Sequence, residues 1–345
     1  MNFRKILSIA TLALVAIMVF LSRGEIAEAW GKLGDINLFI LALLIPAQIL
    51  MYFAAGQVYF SYLRAKKQIR RISTPLLMRI SLEMNFVNHV IPSGGVSGLG
   101  YLAWRLRGHG VTAGQAAMMQ VVRYGSVALA TTVIMLISSV VLAIIGTPFW
   151  VVAFSAGVAL AMVIFVIFFV FIISSKKRIA TFGRIFRYVV NSITRLVTFG
   201  KISNLLSQTT VNKFLGDLNR DYKTIMQDKK MLRAPFAWSI FYSLCDSGTF
   251  WITFFALGAS VNFAPVVIAQ GLASIVGTVV ITPGGAGFFE ASMVAYFTAT
   301  GISPDVAIAA TLVTRVAILL GTIVSGWGFY QLALIKSKDK ALNVK

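Results

Sequence analysis

The sequence predicts an all-α, polytopic membrane protein with about six spanning helices and two re-entrant hairpins in an inverted repeat. The first observation behind this prediction is composition. Of the residues, 58% are hydrophobic and only 12% are charged, and the mean hydropathy is +0.84. Soluble domains carry roughly 25% charged residues. The other observations are a series of long apolar stretches and two related Pro-Gly breaks that interrupt further apolar sequence.

Continuous apolar stretches of about 20 residues are typical of membrane-spanning helices. The sequence contains such stretches at 6–22, 38–63, 112–146, 149–174, 235–257 and 305–335. The first stretch follows Arg4 and Lys5, as a signal peptide would, but no clear small-residue cleavage site comes after it. We therefore interpret it as a retained first helix.

Basic loops predict the orientation of these helices. Residues 64–71 read RAKKQIRR, and residues 176–233 contain 13 Lys and Arg against three Asp. Lys and Arg mark cytoplasmic loops, where they also meet anionic lipid. The net charge of +20 is therefore interpreted as membrane contact rather than as nucleic-acid binding. We expect a multi-pass protein of the cell membrane with both termini in the cytoplasm.

Two apolar stretches, 73–104 and 262–300, do not fit single crossings. The orientation of the flanking helices requires the first to begin and end inside and the second to begin and end outside. Each is too short for two full crossings of the bilayer, so each is predicted to be a re-entrant hairpin. The predicted turn residues are Pro92, Gly94 and Gly95 in the first hairpin, and Pro283, Gly284, Gly285 and Gly287 in the second.

The two breaks are also similar in sequence. IPSGGVSG (91–98) parallels TPGGAGFF (282–289), and 18 residues separate each proline from a later glycine, Gly110 or Gly301. An arginine follows that glycine after 13 residues in one half and 14 in the other. Such a pattern predicts an inverted-topology repeat. The predicted parts are a first membrane half (1–175), a basic cytoplasmic segment (176–233) and a second membrane half (234–345).

Ionisable side chains inside the apolar stretches are the candidate binding residues. A charge at mid-bilayer costs about 2.5–3.5 kcal/mol on insertion scales, and such residues are usually functional. An arginine can hold a phosphate through two parallel hydrogen bonds, and a nearby carboxylate can compete for that arginine. The substrate-binding candidates are Arg79, Glu83, Arg123, Asp246, Glu290 and Arg315, and His89 lies in the same stretches.

Arg79 and Glu83 also admit a structural interpretation. Their i, i+4 spacing places them on one face of a helix, where they can pair with each other. Arg123, Glu290 and Arg315 are the stronger functional candidates, because they accompany the repeated breaks.

Enzymatic signatures are scarce. The sequence lacks HExxH, GxSxG and GxxxxGK[ST] motifs. Two histidines and one cysteine, Cys245, do not suffice for a His- or Cys-rich metal site. We therefore expect no enzyme activity, no cofactor and no metal, although a carboxylate-based reaction using Glu83, Asp246 and Glu290 stays open.

The segment 176–233 alternates basic and apolar residues. Within RIFRYVVNSITRLVTF (184–199), one helix face carries Ile185, Val189, Ile193 and Leu196. This pattern is typical of a basic amphipathic helix on the inner leaflet. A solvated linker helix is the alternative interpretation.

The string TPGGAGFFE (282–290), the related break at 92–98 and the arginine after each break resemble one family over nearly the whole chain. This is the transmembrane (flippase) domain of lysylphosphatidylglycerol synthases and the stand-alone proteins related to it. That domain is credited with moving phospholipid or another lipid-linked headgroup between leaflets. The resemblance implies roles for Glu290 and Arg315 in a central cavity.

The sequence departs from that family in two respects. Full-length synthases add a soluble aminoacyl-transferase domain, whereas this chain ends shortly after its last predicted helix, so we do not expect it to make lysyl-lipid. Many relatives also carry an acidic residue soon after the first glycine cluster. Here residues 97–100 read SGLG, and Glu83 upstream is the possible substitute.

The leading hypothesis is a lipid flippase-like transporter that moves an anionic phospholipid or lipid-linked headgroup between leaflets. Its expected partners are membrane phospholipids, with a homo-oligomer or a lipid-modifying enzyme partner left open. One alternative is a secondary transporter of a small soluble anion, which the same repeat and arginines would serve. Another is a non-transporting partner of a lipid-modifying enzyme, in which the intramembrane charges matter only for stability.

Overall fold

The computed structural model of the protein describes most of both membrane halves. It covers residues 23–24, 36–67, 69, 72–90, 96–197, 208–279 and 287–342. Regular structure within these ranges is helical without any strand, so the predicted all-α fold class is confirmed. The predicted helix 6–22 and the predicted turn residues Pro92, Gly94, Gly95, Pro283, Gly284 and Gly285 lie outside the described residues.

The described helices follow one another with short connections. A single turn, Leu38–Leu41, precedes the first long helix, and a 3₁₀ turn, Lys229–Leu232, precedes the eighth. In chain order the helices are α1 (Leu44–Ala65), α2 (Thr74–Val90), α3 (Val96–Arg107), α4 (Ala113–Ile144), α5 (Phe149–Ser174), α6 (Lys176–Val197), α7 (Gln208–Gln227), α8 (Arg233–Ala256), α9 (Phe263–Val279), α10 (Phe288–Ala299) and α11 (Pro304–Leu342).

Four stretches of the described chain are long and apolar enough to cross a membrane: Leu38–Ala65, Ala113–Ile144, Phe149–Ser174 and Pro304–Leu334. Their outer surfaces carry large exposed apolar side chains such as Leu160, which is 60% exposed. A soluble protein rarely exposes an apolar surface of this extent, so we assign it to contact with lipid. Helix α8 has 24 residues, which is sufficient length for a crossing, but it is not among these four stretches.

The helices that flank the two predicted turns match in length. Helices α2 and α9 each have 17 residues, and α3 and α10 each have 12. A helix of 12 residues extends about 18 Å, which is short of the bilayer core of about 30 Å. The lengths therefore agree with the predicted re-entrant hairpins, whose turns lie outside the described residues.

The shorter arms of the two hairpins also end in the same way. Gly110 (φ 77°) and Gly301 (φ 88°) both adopt the left-handed conformation. The N–H of the residue after each glycine donates back to the final turn, Val111 to Leu106 and Ile302 to Phe297. This is the Schellman arrangement, which satisfies terminal carbonyls and redirects the chain. Gly110 and Gly301, which correspond in the two similar sequences, therefore terminate their helices in the same way.

Helix packing is symmetric with respect to the two halves. Helix α1 packs against α8, α2 packs against α11, and α9 packs against α4. A glycine allows the last two of these pairs to approach closely, because a Cβ at Gly326 would lie 2.9 Å from the Leu82 carbonyl oxygen and one at Gly271 would lie 3.2 Å from Thr131. Each of these contacts joins a helix of the first half to a helix of the second half. This packing supports the inverted repeat, which stays a prediction.

The basic segment contains two different helices. Helix α7 packs on the membrane half through buried Leu218 and Ile225, and its Asp221 forms a 2.5 Å ion pair with Lys66 at the end of α1. On α6, by contrast, Ile185 is 58% exposed. Among the described side chains of α6, Ile185 and Tyr188 therefore remain uncovered.

Replacing Thr112 with alanine is expected to reduce the free energy of unfolding by about 1 kcal/mol. Thr112 caps α4 by accepting from the Gln115 N–H at 3.2 Å, while the Gln115 side chain accepts from the Thr112 N–H at 2.9 Å. Thermal unfolding in detergent would measure the loss. Thr112→Ser, which retains the hydroxyl, should behave like the wild type, and an unchanged alanine variant would contradict the capping role.

Candidate functional site

Ionisable side chains from four helices converge between the two halves. Asp246 of α8 interacts electrostatically with both Arg123 of α4 and Arg315 of α11. His89, near the end of α2, also interacts electrostatically with both arginines, and its Nδ1 lies 2.9 Å from the Asn85 carbonyl oxygen. The structure therefore brings together three of the predicted binding residues and the histidine beside the first break.

Glu290 joins this cluster through Arg315. The Arg315 Nε lies 2.7 Å from Glu290 Oε1, and the Gly287 N–H donates to Glu290 Oε2 at 2.6 Å. Gly287 itself adopts φ 86° and caps the N-terminus of α10. The carboxylate thus occupies the position at a helix N-terminus and beside an arginine where an anion binds favourably.

The Arg123 guanidinium is surrounded by aromatic rings. Its Cζ lies 4.6 Å from the ring centre of Tyr59 and 5.2 Å from that of Tyr124, and Tyr242 is also within electrostatic range. Among the residues that the structure describes, no carboxylate lies within ion-pair distance of Arg123. Cation–π contact stabilises the cation, and Tyr59 and Tyr124 also lie within hydrogen-bonding reach of the guanidinium.

Asp246 is held by a neutral side chain rather than by an ion pair. The Gln270 Nε2 of α9 donates to Asp246 Oδ2 at 2.7 Å. This bond links α8 to α9.

Arg79 and Glu83 belong to a separate network. Glu83 is fully buried, and it accepts from Arg79 at 2.8 Å, Arg105 at 2.8 Å and Tyr101 at 2.7 Å. Because three donors satisfy this carboxylate, its contacts favour a structural role that joins α2 to α3. The substrate-binding role predicted for the pair stays a prediction.

The sequence interpretation overlooked four neutral residues of the cluster. Tyr59 and Tyr242 lie beside Arg123, Gln120 lies beside Tyr59, and Gln270 lies beside Asp246. Uncharged polar side chains are common in spanning helices and do not stand out as charges do. The signal that could have identified Gln120 is its position one turn before Arg123, on the same face of α4.

The cluster contains the chemical groups that can bind an anion and also groups that can compete with it. Arg123 and Arg315 provide N–H donors, whereas Asp246 and Glu290 provide competing negative charge. Within the described ranges, no three His, Cys, Asp or Glu side chains are grouped so that they could hold a metal ion.

Fold and site together define an integral membrane protein with a buried cluster of arginines and carboxylates between two similar helical halves. The sequence profile of the lysylphosphatidylglycerol synthase TM region matches residues 6–326. The chain therefore belongs to that family, and the predicted family membership is confirmed. A comparison with curated proteins found no match.

Proposed function

We propose that this protein is a lipid flippase-like transporter that carries the phosphate headgroup of an anionic phospholipid or related lipid through the space between its two halves. The observation that carries the proposal is the cluster itself. It contains Arg315 paired with Glu290 at 2.7 Å and Arg123 surrounded by tyrosines instead of carboxylates. Membership of the family supports the same class of cargo.

In this proposal Arg123 receives the phosphate first. Its guanidinium can donate two parallel hydrogen bonds to phosphate oxygens. Asp246 lies within electrostatic range of both arginines, so it limits how tightly the anion is held. A transporter needs such a limit, because a site that binds too strongly does not release its cargo.

Glu290 acts as an internal substitute for the phosphate. Its carboxylate already bonds to the Gly287 N–H and pairs with Arg315, which are the contacts that an incoming phosphate would use. Exchange of one anion for the other at Arg315 keeps the arginine paired throughout the cycle. This avoids the cost of an isolated charge in the bilayer.

A lateral groove supports lipid rather than a soluble anion as the cargo. It has a volume of about 360 Å³ and lies between α1 and α11, with Leu41, Ile45 and Ala317 in its lining. At its polar edge, Gln48 donates to Tyr52 at 3.0 Å, and Tyr52 interacts electrostatically with Asp246. The groove would hold an acyl chain while the polar side chains lead the headgroup toward the cluster.

The proposed orientation places residues 64–71, the basic segment 176–233 and both termini in the cytoplasm of a cell-membrane protein. Exposed Arg178, Arg184 and Ile185 on α6 would then contact the inner leaflet. Attraction to anionic lipid is about 1 kcal/mol per basic residue near the surface. This would concentrate the cargo beside the transporter.

Replacing Glu290 with glutamine is expected to slow lipid movement about tenfold. The variant removes the charge that competes for Arg315, so the phosphate is released more slowly, and tenfold corresponds to about 1.4 kcal/mol. The measurement is transbilayer movement of headgroup-labelled phosphatidylglycerol in proteoliposomes. Asp305→Asn is the matched control, because Asp305 is an exposed carboxylate in the first turn of α11.

The same vesicles discriminate between the proposed functions. Lipid movement by the wild type, slowed by Glu290→Gln and unchanged by Asp305→Asn, supports the flippase. Uptake of labelled inorganic phosphate without lipid movement would indicate a soluble-anion transporter instead. If neither cargo moves, with or without an imposed proton gradient, the transport proposal fails and the partner hypothesis takes its place.

A further inference from the structure

The charged cluster contains buried hydrogen-bonding atoms that have no partner. Gln120 Oε1 and Gln270 Oε1 make no hydrogen bond to the part of the protein that the structure describes. Gln120 is 6% exposed and Gln270 is 8% exposed. A buried polar atom without a partner costs about 1–3 kcal/mol, so such atoms grouped beside a proposed binding site point to a ligand.

The orientation of the Gln270 amide is fixed by its neighbour. Its Nε2 donates to Asp246 Oδ2 at 2.7 Å, and a carboxylate oxygen requires a donor there. The atom left over is therefore the carbonyl oxygen, which can only accept. On α4, the Gln120 Nε2 lies 3.6 Å from the Met84 sulfur, and its carbonyl oxygen is again the atom without a partner.

A ligand that satisfies these oxygens must bring hydrogen-bond donors. Ammonium groups and hydroxyl groups both qualify chemically. Arg123 and Arg315 repel an ammonium, whereas Asp246, which is hydrogen-bonded to Gln270, attracts one. A hydroxyl donates to the two neutral oxygens without a charge of its own, so we assign the acceptors to hydroxyls and use a lipid with an ammonium headgroup as the competing probe.

We propose that Gln270 and Gln120 select a headgroup that carries hydroxyl groups next to its phosphate, as a glycerol or sugar headgroup does. This inference rests on the proposed transport function. The arginines hold the phosphate, and the two amide oxygens accept from the hydroxyls. The glutamines therefore determine which anionic lipid is moved rather than whether an anion is bound.

Phosphatidylglycerol and phosphatidylpropanol provide a matched pair of probes. Both carry the same phosphate charge and a three-carbon headgroup, and they differ only in the two headgroup hydroxyls. Both labelled lipids are placed in the same proteoliposomes, and the ratio of their transbilayer rates is measured. This ratio is independent of how much of each variant is folded.

We expect the wild type to move phosphatidylglycerol about tenfold faster than phosphatidylpropanol, because a site that hydrogen-bonds a hydroxyl discriminates against a ligand without one. Gln270→Leu and Gln120→Leu should each lower the ratio about threefold, and the double variant should bring it near one. Gln57→Leu is the control. That buried glutamine already accepts from Arg64 at 2.8 Å, so its loss should leave the ratio unchanged.

Three outcomes would overturn the inference. Equal rates for the two lipids in the wild type would show a hydrated cavity without hydroxyl recognition, while leaving the flippase proposal intact. Faster movement of phosphatidylethanolamine than of phosphatidylglycerol would assign the acceptors to an ammonium. If no lipid moves at all, the transport proposal itself fails and this inference fails with it.

Discussion

Replacing Arg123 with alanine is expected to slow movement of phosphatidylglycerol in proteoliposomes by roughly 30-fold or more, while the protein remains folded. The loss follows from removing one partner of a desolvated contact between charges, which costs about 2–5 kcal/mol. Arg123 is the cleanest position for this test. Its neighbours are the rings of Tyr59 and Tyr124, so its removal breaks no ion pair among the described residues.

Two further variants separate the geometry of the guanidinium from its charge. Arg123→Lys retains the charge but lacks the planar fork that binds phosphate through two bonds, so its rate should fall between those of the wild type and the alanine variant. Arg107→Ala removes an exposed arginine at the end of α3 and should have little effect. Wild-type transport by Arg123→Ala would remove this residue from the proposed path.

Arg315→Ala is expected to lower both the stability of the protein and its transport rate, because of the contacts that Arg315 makes. Arg315 pairs with Glu290 at 2.7 Å and lies 4.3 Å from the ring centre of Phe289. Its removal leaves a buried carboxylate without its cation, so stability and transport fall together. A loss of transport in Arg315→Ala is therefore less informative than the same loss in Arg123→Ala.

The helices could be predicted because apolar length is a property of the local sequence. The predicted stretch 149–174 coincides with Phe149–Ser174, and 112–146 encloses Ala113–Ile144. The predicted stretch 305–335 ends before the helix does, since the helix continues to Leu342. Apolarity indicates where a segment leaves the bilayer, whereas Lys and Ala after that point are good helix formers and extend the helix into polar surroundings.

The candidate site was only partly predictable, because its contacts join residues distant in sequence. The rarity of intramembrane charge identified Glu290 and Arg315, and the repeated breaks placed both in the same region. No local signal indicated that Gln270 would bond to Asp246 or that Arg105 would reach Glu83 across the first hairpin. The sequence spacing indicated only Arg79 as a donor to Glu83, because Arg79 lies on the same helix. The other two donors, Tyr101 and Arg105, lie on α3.

The two carboxylates that come nearest to the breaks thus have different surroundings. Glu290 is held by one backbone N–H and one arginine, and both of these also suit a phosphate. Glu83 is held by two arginines and a tyrosine from two helices, so a competing anion would have to replace the carboxylate at three side chains at once. Exchange with a ligand is therefore expected at Glu290 rather than at Glu83.

Replacing Glu83 with alanine is accordingly expected to destabilise the protein by about 3–5 kcal/mol, because it leaves buried arginines without their counter-charge. The Arg79 and Arg105 side chains are only 19% and 21% exposed, so water cannot fully replace the carboxylate. Thermal unfolding in detergent would measure the loss. Glu83→Gln, which retains an acceptor for Tyr101 but loses the charge, should lie between the alanine variant and the wild type.

The exposed ion pair between Arg220 and Asp217 is the control for the Glu83 experiment. Arg220 pairs with Asp217 at 3.0 Å, but its side chain is 77% exposed, and exposed pairs contribute about 0–1 kcal/mol. Arg220→Ala should therefore unfold at nearly the wild-type temperature. A Glu83→Ala protein that is as stable as the wild type yet moves no lipid would assign Glu83 to substrate binding. Loss of stability, with the transport rate per folded molecule retained, would identify Glu83 as the residue that fastens α2 to α3.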